Sequence, residues 1–527
     1  MSTDVARQAS RDTCRRRSGR TLLLATLLQV AATGTICAAD VSDASKSAAD
    51  PSQTAVFRGA VTPASPVASA SATDVFTDFR REFDAGNYAA AVPYAQRVLE
   101  MAEKQAATPT AEEVQVALMN LATTQYLAGD YVAAEASYQR VIGLVESSGR
   151  PLNARLARAH AGLASTYHDA ARHDLAVASF EQAISFKRRQ EGLLTEQQLP
   201  LLEKYIDSLT VLGRYDTALQ AHKYMLRIAT RKYGEDSPEL APSLEKLGRW
   251  LASVGAYDQA RRVLKRAINI VEDAEGNESP RLVSPLMALA DCSRRQLLDP
   301  GAQLAATADA ERASMFHDPS TPVMPYSPGA LAVEGEKALL RAAQIAEQGE
   351  NPSQARIADV RTQLGDWYQV RGQPERALRQ YEQAWTAAAR VAEKVQGKMV
   401  TEALFGKPVL LHVVRPESWS KYAQRPPDQV EVRTVAIEMT VSAKGLPENA
   451  RIVDDSGDGK RAEKTLAAVQ SARYRPRFEN GQPVATPDVG FAQPWILLLE
   501  SPDEAPAAPA PAPAPAEQAP KPSGQQG

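Results

Sequence analysis

The chain has 527 residues, with 60 Lys and Arg against 63 Asp and Glu and a formal net charge of −3. Basic residues do not gather on any one predicted helix, so the electrostatic footprint of a nucleic-acid binder is missing and no nucleic-acid partner is expected. Of the cysteines, only Cys292 would remain after loss of an N-terminal leader, so no intramolecular disulfide is available and stability must come from packing.

The leader is visible first. Arg15, Arg16, Arg17 and Arg20 precede an apolar stretch from Thr21 to Ala32, and Cys37, Ala38 and Ala39 stand just before Asp40. This is the order of a secretory signal, so residues 1–39 are expected to direct export and to be removed near Asp40. The stretch is short and carries Gln29, which makes it a poor permanent span. An uncleaved leader is the alternative, and the one route by which membrane contact is expected. Ile36 stands where a lipidation signal needs a small residue. Residues 40–72, rich in Ala, Ser, Thr, Val and Pro without period, are expected to be a disordered spacer.

A register then begins. Gly86, Gly129, Ala171, Gly213, Gly255 and Leu297 are 43, 42, 42, 42 and 42 residues apart, and each is followed five residues later by alanine: Ala91, Ala134, Ala176, Ala218, Ala260 and Ala302. A fixed period of this length means one supersecondary unit stacked many times. Before the register points lie a large and a small residue side by side, as in Leu121-Ala122, Leu163-Ala164 and Leu247-Gly248; the small one lets a second helix come close. After them Tyr138 and Val141, Phe180 and Ala183, and Leu264 and Ala267 continue the face begun by the alanine. Glycine between the two patterns is expected to close the first helix.

These residues resemble the tetratricopeptide repeat family, in its longer-helix, kinesin-light-chain-like form. A further unit, with Leu364, Gly365, Tyr368, Gly372, Ala377, Tyr381 and Ala384, matches best. The resemblance implies a solenoid over 73–400, interrupted by an irregular Pro-rich insertion at 317–330, where Pro319, Pro322, Pro325 and Pro328 argue against helix. In this family the first helix of each pair, helix A, lines a concave groove. The positions that fall there are Phe76, Arg80, Met119, Thr123, Arg158, Ser165, His168, Glu203, Asp207, Glu245 and Arg249. They mix both charges with apolar anchors and lack the paired Lys and Asn that clamp a terminal carboxylate. The implied ligand is a peptide or protein segment carrying both charges.

A second module is expected over 405–500. Val435, Ile437, Met439 and Val441 alternate with Ala436, Glu438, Thr440 and Ser442 as a strand with one buried face, and Lys444-Gly445 makes a turn. Ile452 and Val453 mark a second strand, and Ala462, Thr465, Leu466 and Val469 one face of a short helix. With Asp455-Ser456-Gly457, Ala467-Ala468-Val469, Arg473-Tyr474-Arg475-Pro476, Asn480-Gly481 and Pro483-Val484 in order, the string resembles the C-terminal domain of TonB-type proteins. Residues 501–527, an Ala/Pro-rich run, are expected to be a disordered tail.

The fold class expected is therefore mainly α: a tetratricopeptide-type α-solenoid followed by a small α+β TonB C-terminal-like domain. No catalytic set, metal site or cofactor is expected. His160 and His168 share a helix, but no Cys or carboxylate at ligand spacing joins them. The function expected is an exported scaffold in a Gram-negative periplasm, holding a periplasmic or outer-membrane protein or peptide in the groove and making a second contact through the TonB-like module. The alternative is a TonB-type energy transducer, anchored in the inner membrane and contacting outer-membrane receptors. Three departures argue against it. Thr21 to Ala39 holds no histidine, the Pro-rich run follows the module instead of preceding it, and Pro487 and Pro494 are expected to interrupt the last strand.

Overall fold

The computed structural model describes residues 70–108, 111–148, 154–299, 327–349, 351–391, 394–416 and 429–499. The expected leader, nearly all of the expected spacer and the tail lie outside the described residues, as do Ala302 and most of the Pro-rich insertion.

Helices follow one another in pairs, A then B: α1 (Ala70–Asp84) with α2 (Tyr88–Gln105), α3 (Glu112–Leu127) with α4 (Tyr131–Ser147), α5 (Ala154–Asp169) with α6 (His173–Glu191), and α7 (Leu199–Val211) with α8 (Tyr215–Tyr233). Then come α9 (Ala241–Ser253) with α10 (Tyr257–Glu275), α11 (Val283–Leu298) with α12 (Pro328–Gln348), α13 (Gln354–Val370) with α14 (Pro374–Ala389), and a last helix α15 (Lys394–Phe405).

The register residues work as expected at the A-to-B turns. Gly86, Gly129, Gly213, Gly255 and Gly372 take φ between +69° and +84°, a conformation open to glycine at little cost. Each turn closes with the paired bonds of a Schellman motif: Gly129 N–H donates to Tyr126 O at 3.0 Å and Asp130 N–H to Gln125 O at 2.9 Å. Ala171 makes the same turn at φ +57°. Ala91, Ala134, Ala176, Ala218, Ala260 and Ala377 are fully buried where helix B meets its partner. Small residues on helix A receive large ones from helix B: a Cβ on Gly248 would sit 2.6 Å from the Leu264 side chain, and one on Gly162 or Gly365 would overlap Tyr138 or Tyr381.

A second register escaped the sequence reading. Gly192, Gly234 and Gly276, at φ +94°, +94° and +87°, end three successive B helices. Each is followed by one 3₁₀ turn, Glu196–Gln198, Pro238–Leu240 or Pro280–Leu282, which leads into the next helix A.

The sixth register point is corrected. Leu297 lies inside α11 and makes no turn; its helix B is α12, which begins at Pro328. Proline is suited to a first helical position because its missing N–H would have had no partner there, and the Ser327 hydroxyl caps Ala330 N at 3.2 Å. So Pro328 starts a helix where it was expected to forbid one. α12 is fixed by a buried contact: Arg261 of α10 donates to Glu334 at 2.7 Å, and Ser293 of α11 to the same carboxylate at 2.9 Å. The break in the register is an insertion within one A-to-B connection, and the stack continues through it.

The second module holds strands β1 (Val409–His412), β2 (Val430–Val441), β3 (Pro447–Asp454), β4 (Arg473–Arg475), β5 (Arg477–Glu479), β6 (Gln482–Val484) and β7 (Thr486–Leu498), with helix α16 (Gly459–Gln470) after β3. β3, β2 and β7 form one antiparallel sheet in that order, while β1 pairs with β4 and β5 with β6. Val435, Ile437, Met439 and Val441 face inward and are buried with Ala462 and Val469 of α16. The Lys444-Gly445 turn forms as expected, with Gly445 at φ +73°.

Two expectations change here. Pro494 does not interrupt β7, where it stands opposite Thr434, whereas at Pro487 the ladder is irregular: Val489 pairs with Met439 and Thr486 with Val441, with Pro487 and Asp488, the latter at φ +56°, left between them. β7 ends its sheet, and an edge strand tolerates a missing backbone donor. Phe405, expected to open the second module, instead ends α15 and lies in the core shared with the solenoid.

Candidate partner-binding site

The A helices stack so that side chains one repeat apart in sequence meet in space. Arg155 of α5 pairs with Glu112 of α3, and Lys246 of α9 with Glu203 of α7. Tyr126 donates to Asp169 at 2.5 Å, Lys204 reaches Asp169 at 3.2 Å, and Trp250 Nε1 donates to Thr210 at 2.8 Å. Ser284 of α11 donates to Glu245 of α9 at 2.7 Å. The sequence period has become a ladder of polar contacts along one side of the solenoid.

The residues placed in the groove by resemblance divide into three groups. Met119, Thr123 and Ser165 are buried and offer no surface. Thr123 is turned toward its own helix B, accepting from Tyr138 OH at 3.2 Å and donating to Met119 O at 2.9 Å; Met119 belongs to the hydrophobic core. Phe76, Arg158 and His168 are half-buried. Phe76 packs 5.9 Å from Phe79, and burial lowers the Arg158 pKa against the opposing effect of Tyr138. Asp207 and Arg249 are exposed, while Arg80, Glu203 and Glu245 are half-buried, Glu245 with only 15% of its side chain exposed. Arg80 pairs with Asp84 at 3.0 Å, and Arg249 with Glu245 at 2.8 Å. Glu203, Asp207, Glu245 and Arg249 lie on neighbouring helices α7 and α9 and form the one compact charged group among the predicted positions.

His168 sits in the most elaborate polar cluster of these helices. Its Nδ1 is 2.8 Å from Ser208 Oγ, and its ring meets His173 edge-on at 5.4 Å. A serine, a histidine and the carboxylate of Asp169 suggest nucleophilic catalysis, but the geometry opposes it. Ser208 is fully buried, and Asp169 is 3.9 Å from His168 Nε2 and already held by Tyr126 and Lys204. Burial, then the Lys204 charge, pulls the His168 pKa down to about 4. The cluster is a set of satisfied contacts between repeats.

His222, buried 4.9 Å from the Trp250 ring, likewise has its pKa lowered to about 4, by burial first and then by Lys246. Burial raises the Cys292 thiol to about 12, which leaves it protonated and unreactive. Among the described residues no three His, Cys, Asp or Glu side chains converge as a metal site, and no helix is long and apolar enough to cross a membrane.

Sequence reasoning missed one set of residues. Arg475, seen only as part of a motif, is buried against Asp366 of α13. The available signal was an acidic residue set between Gly365 and Trp367 in an otherwise core-facing helix.

Residues 113–189 and 198–273 match the family described as tetratricopeptide repeat, and residues 427–488 the one described as Gram-negative bacterial TonB protein C-terminal. Two stretches of the chain are thus similar to tetratricopeptide repeats and a later one to the TonB C-terminal domain, and the fold is a tetratricopeptide-type solenoid followed by small antiparallel sheets. Tetratricopeptide repeats indicate a protein–protein interaction scaffold. Similar solved structures include kinesin-light-chain-type, nearly identical TPR-like repeats from Podosopora anserina, 17% identical over 38% of this chain and 96% of that one, with a TM-score of 0.35. BtubC (BKLC) from P. vanneervenii is 20% identical over 45% and 95%, TM-score 0.31, and the TPR2AB domain of yeast Sti1, in complex with a pHSP90 peptide, is 12% identical over 63% and 96%, TM-score 0.22. No curated protein matches in sequence.

Proposed function

We propose that this scaffold is exported to a Gram-negative periplasm and holds a protein or peptide segment along the side formed by its A helices. The carrying observation is the charged group Glu203, Asp207, Glu245 and Arg249, with Asp207 and Arg249 exposed and the two glutamates half-buried beside them, on two consecutive repeats of one continuous stack. Both signs of charge lie there within reach of one extended ligand, which suits a segment of mixed charge better than an acidic tail. Export rests on the charged and apolar leader ahead of Asp40. The TonB-like module supplies a second contact.

Photo-crosslinkers placed at Asp207 and Arg249 in cells test the groove. An envelope protein trapped at both positions, and lost when the four charges are exchanged, is the expected result. Adducts formed only from the module would overturn it. N-terminal sequencing of the periplasmic fraction should find a chain beginning near Asp40; an intact Met1 in the membrane pellet would favour the anchored alternative.

The energy-transducer reading retains one support. β7 is an edge strand that pairs regularly over residues 489–498, so the sheet has a geometry to which an extended receptor segment could add. Adducts from β7 to an outer-membrane receptor would be its signature.

A further inference from the structure

We propose that the TonB-like module docks on the last repeat of its own solenoid as a fixed C-terminal cap, with the Arg473-Tyr474-Arg475-Pro476 element as the docking face, which is thereby closed to outside partners. The Arg475 guanidinium is the centre of the contact. Its Nη2 meets Asp366 Oδ2 at 2.7 Å, its Nε meets Asp366 Oδ1 at 3.0 Å, and its Nη1 donates to Leu404 O at 2.9 Å. Asp366 also accepts from Tyr381 OH of α14 at 2.8 Å. Both side chains of the ion pair are almost wholly removed from water, at 1% and 6% exposure.

A two-pronged arginine–carboxylate contact without water requires both partners in place, because either one alone is left as an uncompensated buried charge. Each half supplies one charge. Neither the module nor the last repeat can be withdrawn without uncovering it.

Apolar contacts surround the pair. Phe478 of β5 lies 4.9 Å from Phe405 of α15 and stacks at 6.1 Å on Trp385 of α14, while Tyr381 meets Phe478 edge-on at 6.3 Å. At the other end Gln369 of α13 donates to Lys444 O at 2.7 Å, and Lys444 reaches Glu375 at 3.1 Å. The turn at Gly445 is pressed so close that a Cβ there would lie 2.5 Å from Gln369 Nε2. A solenoid exposes the core of its last repeat unless something covers it. Here Phe478 of the sheet module does so with Phe405 of α15, and the surface left for partners is the outer sheet with its edge strands.

Hydrogen–deuterium exchange on the full chain decides the matter, comparing wild type with Asp366→Ala and Arg475→Met. Either single change should speed exchange by about a hundredfold or more on both sides of the contact, in α13 to α15 and in β1 and β4, with α3 to α6 unchanged. Acceleration confined to the mutated side would overturn the proposal, since independently folded units do not transmit the loss. Should those variants fail to fold, Gln369→Ala removes only the contact to the Lys444-Gly445 turn. It should loosen β4 as well as α13; loosening of α13 alone would equally overturn the cap.

Discussion

Ion pairs in two parts of this molecule look alike on paper and differ in what they can do. Between repeats, Lys246 and Glu203 pair with side chains 56% and 37% exposed; at the junction, Arg475 and Asp366 pair at 1% and 6%. Exposed pairs gain little, because water solvates each charge nearly as well as its partner does. A buried pair is no large source of stability when intact, yet leaving one member unpaired is costly. Apart from the covered Arg261–Glu334 and Lys204–Asp169 pairs, the solenoid is thus held by interlocking small and large side chains, with charges marking the ladder, whereas the junction is locked by a desolvated pair.

The sharpest way to break that contrast is to remove one charge from each. Asp366→Ala should lower stability by about 3–5 kcal/mol, whereas Lys246→Met should cost less than about 1 kcal/mol. Denaturant midpoints of the full-length variants compare them. Equal shifts would mean that the junction is solvated.

Acidity probes the solenoid next. His222 is buried and neutral in the fold, with a pKa near 4 against an ordinary 6.5, so the unfolded chain binds more protons between those values. Its contribution is fully present above pH 6.5 and is lost as pH falls toward 4. The loss should be on the order of 2–3 kcal/mol, with His168 acting in the same direction. Stability measured from pH 7 to pH 4 should therefore decline, and His222→Gln should flatten the decline. An unchanged slope would place His222 in contact with water.

Packing comes third. Ala134 is fully buried, and a Cβ on Gly248 would already crowd Leu264, so Ala134→Leu or Gly248→Leu should each cost about 1–3 kcal/mol through overpacking. Thermal melts check this; unchanged midpoints would contradict the interlocked register.

What the sequence made legible follows the same division. The repeat fold could be read because its determinants are local and recur: a glycine that must take positive φ, an alanine five residues on, a knob one turn beyond. The strand at Val435 to Val441 was legible for a similar reason, its alternation being a direct image of one buried face. Contacts joining distant segments carry no such period. Asp366 and Arg475 are 109 residues apart, and nothing local marks them as partners. Groove positions fared between the two. Register located the helix but not the rotation of each side chain, so Thr123 proved to face Tyr138 while Asp207 two repeats on faces solvent. α12 was missed because prolines that break a helix internally are well placed at its first turn.

The smallest expected effect isolates the backbone term of the repeat. Five A-to-B turns place glycine at positive φ, and Ala171 makes the sixth at +57° with the same pair of closing hydrogen bonds, Ala171 N to His168 O at 3.0 Å and Arg172 N to Tyr167 O at 2.8 Å. Alanine in this region brings its Cβ against the following carbonyl, whereas glycine has no such contact but loses more freedom on folding. The first effect exceeds the second, so Ala171→Gly should stabilise the chain by about 0.5–1 kcal/mol. Gly213→Ala, at a turn of the same geometry with open space around the missing Cβ, should cost about as much. Melting temperatures moving in opposite directions for these two changes would show that the turn's conformation, and not side-chain contact, sets glycine at this position. If both variants lost stability, Ala171 would owe its place to packing, and the third repeat would differ from its neighbours in more than one residue.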